Sequence, residues 1–348
     1  MVICASAWRD FFASFVAAQE LITANQSVNT PENILLIRLK SIGDILFTLP
    51  AVHLVRHNFP EARLHFLVSR EFAPLLRGFS EVDEIMVLDS AAFHSKSLPV
   101  ICGSAVRLAR TLREKRFSLA IDLQGYGETA WLSWLSGAPE RWSSVYRYPR
   151  SWAYTRSEWR DDSLHPAEWH LSLLRNCGLR VGEIRNEYIL PAEAISEARR
   201  FFLDHGLDEN KPTLFLQPFT SSPNKNWPLD NYLSLAWHFR TRFQVIFGGG
   251  PTERNALKPA LDAGFAVSAG TPLLVSAGLI KLSTLAVGSD TGLLHLAVAM
   301  GKRIVMLMPY SVTTTRPFQH GDWVIEPGNG KTVASIAVEE VVEAANKL

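Results

Sequence analysis

Four loops of this sequence combine residue types that can take part in acid–base chemistry or bind an anion. The first, Arg38-Leu39-Lys40-Ser41-Ile42-Gly43-Asp44, places a carboxylate directly after a glycine that allows a tight turn. Such a carboxylate can accept the proton of an attacking hydroxyl. Asp44 is equally suited to the start of a helix, where its side chain would bind free N–H groups. Both interpretations, catalytic base and helix cap, stand on the residues alone.

The second loop offers hydroxyl groups and one lysine. It runs Thr220-Ser221-Ser222-Pro223-Asn224-Lys225-Asn226-Trp227-Pro228. Hydroxyls, backbone N–H groups and a positive charge between a strand and a helix can bind a phosphate. The alternative is a polar turn whose Ser and Thr side chains cap the chain locally.

The third and fourth loops provide glycines and a helix start. In Phe247-Gly248-Gly249-Gly250-Pro251-Thr252-Glu253, the glycines allow a ligand to approach the backbone, or simply form a tight strand–helix turn. In Ser289-Asp290-Thr291-Gly292-Leu293-Leu294-His295, free N–H groups and the helix dipole favour an anion. His295 lies one turn beyond Thr291 on the same side, as a ligand contact or as a buried structural histidine.

Motifs that would indicate other chemistry are missing from the sequence. It has no D-x-D for a metal-bound nucleotide, no GxxxxGK[ST], no HExxH and no G-x-S-x-G. The three cysteines are Cys4, Cys102 and Cys177; their wide spacing indicates neither a metal site nor a disulfide framework and suits a reducing compartment. We therefore expect no metal and no cofactor.

The elements that carry these loops alternate between strands and helices, twice over. Apolar runs typical of buried strands are ILLIRL, RLHFLVS, EIMVLD and FSLAIDL, then TLFLQP, FQVIFGGG, TLAVGS and RIVMLMP. Strands that alternate with helices form parallel sheets, and ligands bind outside the carboxyl ends of such strands. The sequence thus predicts an α/β protein of two Rossmann-like parallel-sheet domains that face each other across a cleft.

The predicted domains have approximate borders. Residues 1–30 form an N-terminal helical extension, 31–190 the first domain, 205–330 the second, and 331–348 a C-terminal helix. The stretch 138–160 is less regular, and EYILP near residue 188 is strand-like.

Charge gives a weaker indication of partners. The net charge of +1 speaks against nucleic acid, but residues 31–160 hold 17 Lys/Arg against 13 Asp/Glu. Residues 139–160 alone carry five arginines among six aromatic residues. Arg147 and Arg150 in this stretch suit phosphate or carboxylate groups, and aromatic faces suit sugar rings. The alternative is a surface loop with solvated arginines.

Neither an apolar run of membrane-spanning length nor a secretory signal is visible, so the sequence predicts a cytoplasmic protein.

Three segments together resemble the ADP-heptose:lipopolysaccharide heptosyltransferase family: RLKSIGDILFTLPAV, LQPFTSSPNKNWP and SDTGLLHLAVAMG. The resemblance runs from about residue 33 to 310. It implies the GT-B architecture, with an acceptor domain followed by a donor domain, and inverting transfer without a metal. By motif position it implies a general base at Asp44. Donor contacts are implied at Thr220, Ser221, Lys225, Glu253, Asp290, Thr291, Gly292 and His295.

The partners implied are an ADP-sugar donor and an anionic lipopolysaccharide core acceptor. The acceptor-binding candidates are Arg38, Lys40, Gln124, Arg147 and Arg150. Peripheral contact with the inner face of the membrane stays open, as do two alternatives to transfer. These are a nucleotide-sugar epimerase on the same architecture and a non-catalytic protein that binds a carbohydrate or nucleotide.

Overall fold

The computed structural model describes residues 31–89, 98–310 and 313–347. The expected N-terminal helical extension at 1–30 lies outside the described residues.

The first half of the chain forms one six-stranded parallel sheet. Its strands are β1 (Asn33–Ile37), β2 (Arg63–Ser69), β3 (Glu84–Leu88), β4 (Leu119–Asp122), β5 (Glu140–Val145) and β6 (Arg156–Trp159). They lie in the order β3-β2-β1-β4-β5-β6. The central strand β1 is an unbroken apolar run from Ile34 to Ile37 with no exposed surface, as a strand covered on both faces requires.

The second half repeats this topology in a second parallel sheet. Its strands are β7 (Thr213–Gln217), β8 (Gln244–Gly249), β9 (Ala266–Ala269), β10 (Leu285–Ser289), β11 (Ile304–Leu307) and β12 (Val324–Ile325). Their order is β12-β11-β10-β7-β8-β9. In both sheets the direction of winding reverses beside the first strand, between β1 and β4 and between β7 and β10. Doubly wound sheets bind ligands at such reversals.

Eleven α-helices lie within the described residues and cover these sheets. Those of the first half are α1 (Ile42–Leu46), α2 (Leu49–Asn58), α3 (Leu98–Glu114), α4 (Gly127–Leu135) and α5 (Pro166–Asn176). The remainder are α6 (Ala192–Asp204), α7 (Leu229–Phe239), α8 (Lys258–Asp262), α9 (Leu273–Leu282), α10 (Gly292–Ala299) and α11 (Val338–Lys347). Helix α6 packs on α9, and α11 packs on α7, so both belong with the second sheet.

The structure confirms two parallel-sheet domains and corrects several local predictions. The stretch 138–160 is not irregular: it contains β5, β6 and a 3-10 turn at Tyr148–Ala153. Strand β6, with the sequence RSEW, is a largely exposed edge strand, so it has no apolar run by which it could be predicted. Conversely, EYILP is no strand. Tyr188 and Ile189 each donate one backbone hydrogen bond, to Ala299 and Gly78, rather than joining a ladder.

Candidate active site

A cavity of 620 Å³ lies where the carboxyl ends of the two sheets face each other. From the first half it is lined by Ser41, Ile42, Gly43, Asp44, Phe47 and Phe72. From the second half it is lined by Gln217, Phe219, Thr220, Ser221, Lys225, Gly250, Glu253, Leu273, Asp290, Thr291, Gly292, Leu293, His295 and Thr315. All nine residues predicted as base or donor contacts therefore line one cavity, although they come from four separate loops.

Asp44 is held firmly at one oxygen. Its Oδ2 accepts hydrogen bonds from the Ser41 backbone N–H at 3.3 Å and the Ser41 hydroxyl at 3.0 Å. The same oxygen lies 2.9 Å from a guanidinium nitrogen of Arg38. The Ser41 contacts cap α1, which is the local role that the sequence left open.

The cap does not use the whole carboxylate. Every hydrogen bond and ion pair of Asp44 within the described residues is made by Oδ2, and its side chain is 37% exposed on the cavity wall. Oδ1 is thus available to accept a proton from a molecule in the cavity. Asp44 can cap α1 and act as a base at the same time, because the two roles use different oxygens.

Asp290 joins two polar residues of the second half. Lys225 Nζ donates to its Oδ2 at 2.8 Å, and His295 Nε2 lies 3.1 Å from its Oδ1. Burial alone would raise the pKa of Asp290. The hydrogen bonds and charges of His295 and Lys225 more than offset burial, so the pKa lies below its ordinary value. The ionised carboxylate fixes the Lys225 ammonium at the cavity wall, where its two other N–H donors have no partner among the described residues and can bind a ligand.

Helix α10 directs its N-terminus at the same space. Thr291 is its N-cap, and the Thr291 hydroxyl accepts a hydrogen bond from the Leu294 N–H at 3.4 Å. A Cβ atom built on Gly292 would lie 2.6 Å from Ile42 Cβ and 3.2 Å from the Gly43 nitrogen. The two halves therefore touch at this point, and only a glycine allows the helix start to come so close to α1.

The second and third loops are organised by their own hydrogen bonds. The Thr220 hydroxyl donates to the Ser222 carbonyl at 2.7 Å and accepts from the Ser222 N–H at 3.1 Å. Glu253 accepts from the Gly250 N–H at 2.5 Å, which closes the glycine turn around its carboxylate. Ser221 is exposed. The second loop is therefore a polar turn and the third a tight strand–helix turn, and residues of both also line the cavity.

The acceptor candidates do not line the cavity. Arg38 is 5% exposed in its side chain and donates to the Lys40 and Leu123 carbonyls as well as pairing with Asp44. Gln124 is fully buried, accepts from the Leu39 N–H at 2.9 Å and donates to Glu128. Both residues thus hold the ends of β1 and β4 together.

The other three candidates lie nearer the surface. Lys40 forms a 3.4 Å ion pair with Glu128 and is half exposed. Arg150 donates to the Gly125 carbonyl at 3.1 Å, and its guanidinium lies 4.3 Å from the centre of the Tyr146 ring. Arg147 is exposed.

A set of aromatic contacts next to the cavity was not predicted from the sequence. The Phe47 ring lies edge-on to His165 at 4.6 Å and to His295 at 4.8 Å. His165 Nδ1 accepts from the Ala167 N–H, so Nε2 carries the proton that bonds the Arg316 carbonyl at 3.0 Å. These contacts join the first half to the second. Because they pair residues far apart in sequence, no local pattern indicates them.

The described part of the chain holds neither a cluster of metal ligands nor a helix of membrane-spanning length. No group of three or more His, Cys, Asp or Glu side chains there is arranged to hold a metal ion. Among the helices of residues 31–89, 98–310 and 313–347, none has the length and apolarity to cross a membrane.

Two doubly wound domains with a polar cavity between their facing strand ends define the GT-B fold. The same architecture occurs in a family 9 glycosyltransferase from Veillonella parvula, with a TM-score of 0.82 and 21% identity over 91% of this chain and 96% of that one. It also occurs in the Escherichia coli ADP-heptose lipopolysaccharide heptosyltransferase II, with a TM-score of 0.76 and 21% identity over 90% and 98%.

The sequence profile described as glycosyltransferase family 9 (heptosyltransferase) matches residues 105–332, and the chain belongs to this family. It is also 25% identical to lipopolysaccharide heptosyltransferase 2 of Salmonella typhimurium, over 84% of this chain and 87% of the relative. The protein is therefore an enzyme that transfers a glycosyl group, and the epimerase and non-catalytic alternatives are set aside.

Proposed function

We propose that this glycosyltransferase moves a heptose from ADP-heptose to a lipopolysaccharide core acceptor, with inversion and without a metal ion. The observation that carries the proposal is the cavity shared by Asp44 of the first half and Lys225, Thr291 and Gly292 of the second. The names of the relatives, which are lipopolysaccharide heptosyltransferases, supply the donor and acceptor class.

In this mechanism an acceptor hydroxyl attacks the anomeric carbon of the donor while the bond to the diphosphate breaks. Asp44 Oδ1 takes the proton of the hydroxyl, and Arg38 and Ser41 keep the carboxylate in position through Oδ2. A single displacement inverts the anomeric centre.

The leaving diphosphate gains negative charge as the bond breaks. Lys225 supplies a fixed ammonium group, and the start of α10 supplies free N–H groups and the positive end of the helix dipole. Because Asp290 already orients Lys225, little reorganisation is needed during the reaction. These groups can take the place of a metal ion in stabilising the charge.

The acceptor is expected on the first domain, against Lys40 and the region of Arg147 and Arg150. Arg38 and Gln124 act there as positioning residues, since their side chains are committed to internal hydrogen bonds. Glu253 and Ser221 are assigned to the donor side of the cavity.

The substitution Asp44→Asn tests the mechanism. Asn can still accept the Ser41 cap but cannot take a proton, so we expect turnover to fall by about two to four orders of magnitude with ADP affinity unchanged. Turnover is measured by mass spectrometry of the glycosylated acceptor, and the anomeric configuration of the product by NMR. The matched control is Asp230→Asn, which changes an exposed aspartate in the first turn of α7, away from the cavity.

Three outcomes would contradict the proposal. Near-native turnover of Asp44→Asn would leave Asp44 as a helix cap only, and a product with retained configuration would exclude a single displacement. The assay is repeated with EDTA, in which full activity is expected; a loss that magnesium restores would show that a metal takes part.

A further inference from the structure

Four tryptophans of the first domain are exposed to solvent on one face. Trp131, Trp134, Trp152 and Trp159 keep between 43% and 62% of their surface accessible. We call these four residues the tryptophan patch. Soluble proteins rarely expose several large aromatic side chains together, and such groups mark interaction surfaces.

Three members of the tryptophan patch pack on one another. Trp131 and Trp134 stand one turn apart on the outer stripe of α4, and their ring centres are 5.8 Å apart. Trp152, from the 3-10 turn beside that helix, lies 4.8 Å from Trp131 and 6.2 Å from Trp134. The inner side of the same elements is occupied by small residues, Ala130 and Ala153, which are fully buried. The helix therefore packs through alanine and turns its tryptophans outward.

Trp159 adds to the same face. It is the register partner of Val145 in the parallel pairing of β5 and β6, so their side chains leave the sheet on the same side. Val145 packs against Ala130 and Ala153, beneath the other three tryptophans.

Arginines surround the tryptophan patch. Arg113 donates to the Leu135 carbonyl next to Trp134, and Arg141 donates to the Ala153 carbonyl next to Trp152. Arg147 and Arg150 precede Trp152 in the same turn.

Two acidic side chains near Trp131, Trp134 and Trp152 form ion pairs, whereas Asp161 and Asp162 beside Trp159 are exposed. Glu128 pairs with Lys40 at 3.4 Å, and Glu140 with Arg156 at 3.7 Å. The rim is therefore positive around Trp131, Trp134 and Trp152, where the arginines lie, and mixed in charge beside Trp159.

We propose that the tryptophan patch docks the enzyme on a membrane surface that contains anionic lipids. Tryptophan suits the boundary between lipid headgroups and acyl chains, because its ring is apolar and its N–H can bond to water or headgroups. Arginines around it attract anionic headgroups over about a Debye length. A second copy of this chain fits less well, since it would bring two positive rims together.

The test uses the full chain without sugar substrates. Co-sedimentation is measured with vesicles of phosphatidylcholine alone and of phosphatidylcholine mixed with phosphatidylglycerol. We expect the protein to bind the anionic vesicles, with weaker binding at high salt. The triple variant Trp131→Gln, Trp134→Gln, Trp152→Gln should bind about tenfold less or weaker still. Arg113→Gln should lose affinity for the anionic vesicles only.

Trp237→Gln is the matched control, because Trp237 of the second domain is 45% exposed but stands outside the patch. It should bind vesicles within about twofold of the unchanged protein. Thermal melting and ADP binding verify that the triple variant is folded. If it does not fold, Trp159→Gln is measured in its place, since Trp159 is the most exposed of the four.

Three results would overturn the proposal. One is a failure of the unchanged protein to bind anionic vesicles. Another is binding that persists in the folded triple variant, which would place membrane contact elsewhere in the chain. The third is self-association in solution that the triple variant abolishes while vesicle binding stays the same, which would assign the patch to contact between copies.

Discussion

In the proposed mechanism Asp44 serves both the fold and the chemistry. Its Oδ2 atom takes all the contacts that cap α1 and pair with Arg38, whereas Oδ1 stays available in the cavity wall. The pairing with a buried arginine restricts the rotation of the carboxylate, so Asp44 is positioned before any substrate arrives. Pre-positioned groups lower the reorganisation needed in the transition state.

Replacing Lys225 should weaken donor binding without disturbing the fold. Lys225→Ala removes the ammonium that is proposed to bind the diphosphate, while Asp290 keeps its hydrogen bond with His295. We expect ADP affinity to fall by roughly tenfold to a hundredfold, since a hydrogen bond to a charged group contributes about 1.5–3 kcal/mol. Transfer should slow as well, because the charge acts in the ground state and in the transition state.

Calorimetry with ADP measures the effect of Lys225→Ala. Lys258→Ala is the control: it removes an exposed lysine of the same domain that pairs with Asp262 outside the cavity. Equal ADP affinity in the two variants would remove Lys225 from the proposed donor site.

At the scale of the element, the start of α10 depends on close contact with α1. The absence of a side chain at Gly292 allows Ile42 and Gly43 to approach the helix N-terminus. Both loops belong to the proposed mechanism, the first through Asp44 and the second through its N–H groups. The spacing between these two helix starts therefore sets the distance from base to diphosphate.

Gly292→Ala should disturb this spacing. The added methyl group would stand 2.6 Å from Ile42 Cβ, so the halves must move apart by some tenths of an ångström or more. We expect transfer to fall at least about tenfold, because small misplacements of reacting groups have large kinetic costs. Initial rates under saturating donor measure the change.

Gly127→Ala is the control for Gly292→Ala. Gly127 is likewise the first residue of a helix, α4, but among the described residues a Cβ atom there would meet no atom of another element within 4 Å. Its rate should match that of the unchanged protein. If Gly292→Ala also transfers at the unchanged rate, the contact seen between α1 and α10 is not required during catalysis.

At the scale of the whole molecule, His165 joins the halves. It stands at the start of α5, packs on Phe47 and Phe318, and donates its Nε2 proton to the Arg316 carbonyl. Burial lowers the pKa of His165 to about 4, and the hydrogen bond to Arg316 offsets only part of that effect. At neutral pH His165 is therefore uncharged in the folded protein.

This depressed pKa predicts a pH dependence of stability. The unfolded chain protonates His165 near pH 6.5 and the folded protein only near pH 4. Its contribution to the free energy of unfolding is thus complete above pH 6.5 and is lost as the pH falls towards 4, by roughly 1 kcal/mol per pH unit. Buried His170, whose pKa is also lowered by burial, acts in the same direction.

His165→Phe keeps the ring contacts and removes the titration. We expect urea unfolding to give a lower stability than the unchanged protein at pH 7, by about 1 kcal/mol for the lost hydrogen bond. Between pH 6.5 and 4 the free energy of unfolding of His165→Phe should fall less steeply with pH than that of the unchanged protein, because the variant takes up about one proton fewer on unfolding. His57→Phe, which replaces an exposed histidine away from these contacts, is the control variant measured beside it. An unaltered slope in His165→Phe would mean that His165 does not hold the halves together as a neutral ring.

The meeting of four predicted loops at one cavity could be predicted from the sequence, for a geometric reason. In a parallel sheet every strand ends at the same edge, so polar loops that follow β1, β7, β8 and β10 must gather at that edge. Alternating apolar runs identified these strands, and the loops after them supplied Asp44, Lys225, Glu253 and Thr291. Strands β5, β6, β9 and β12 were missed because polar, exposed or short strands lack a continuous apolar run; of these, β6, β9 and β12 lie at the edges of their sheets.

Only the tertiary structure shows how the loops and the two domains contact each other. The ion pair of Lys225 with Asp290 connects two different loops, and the contact of Gly292 with Ile42 connects the two domains. The acceptor candidates show the same limit, since the sequence did not reveal that the side chains of Gln124 and Arg38 form internal hydrogen bonds. Nor did it reveal that four tryptophans of the first domain are exposed. Sequence periodicity reports which face of an element is apolar. Which surfaces then cover that face depends on contacts between distant segments, and these exist only in the folded chain.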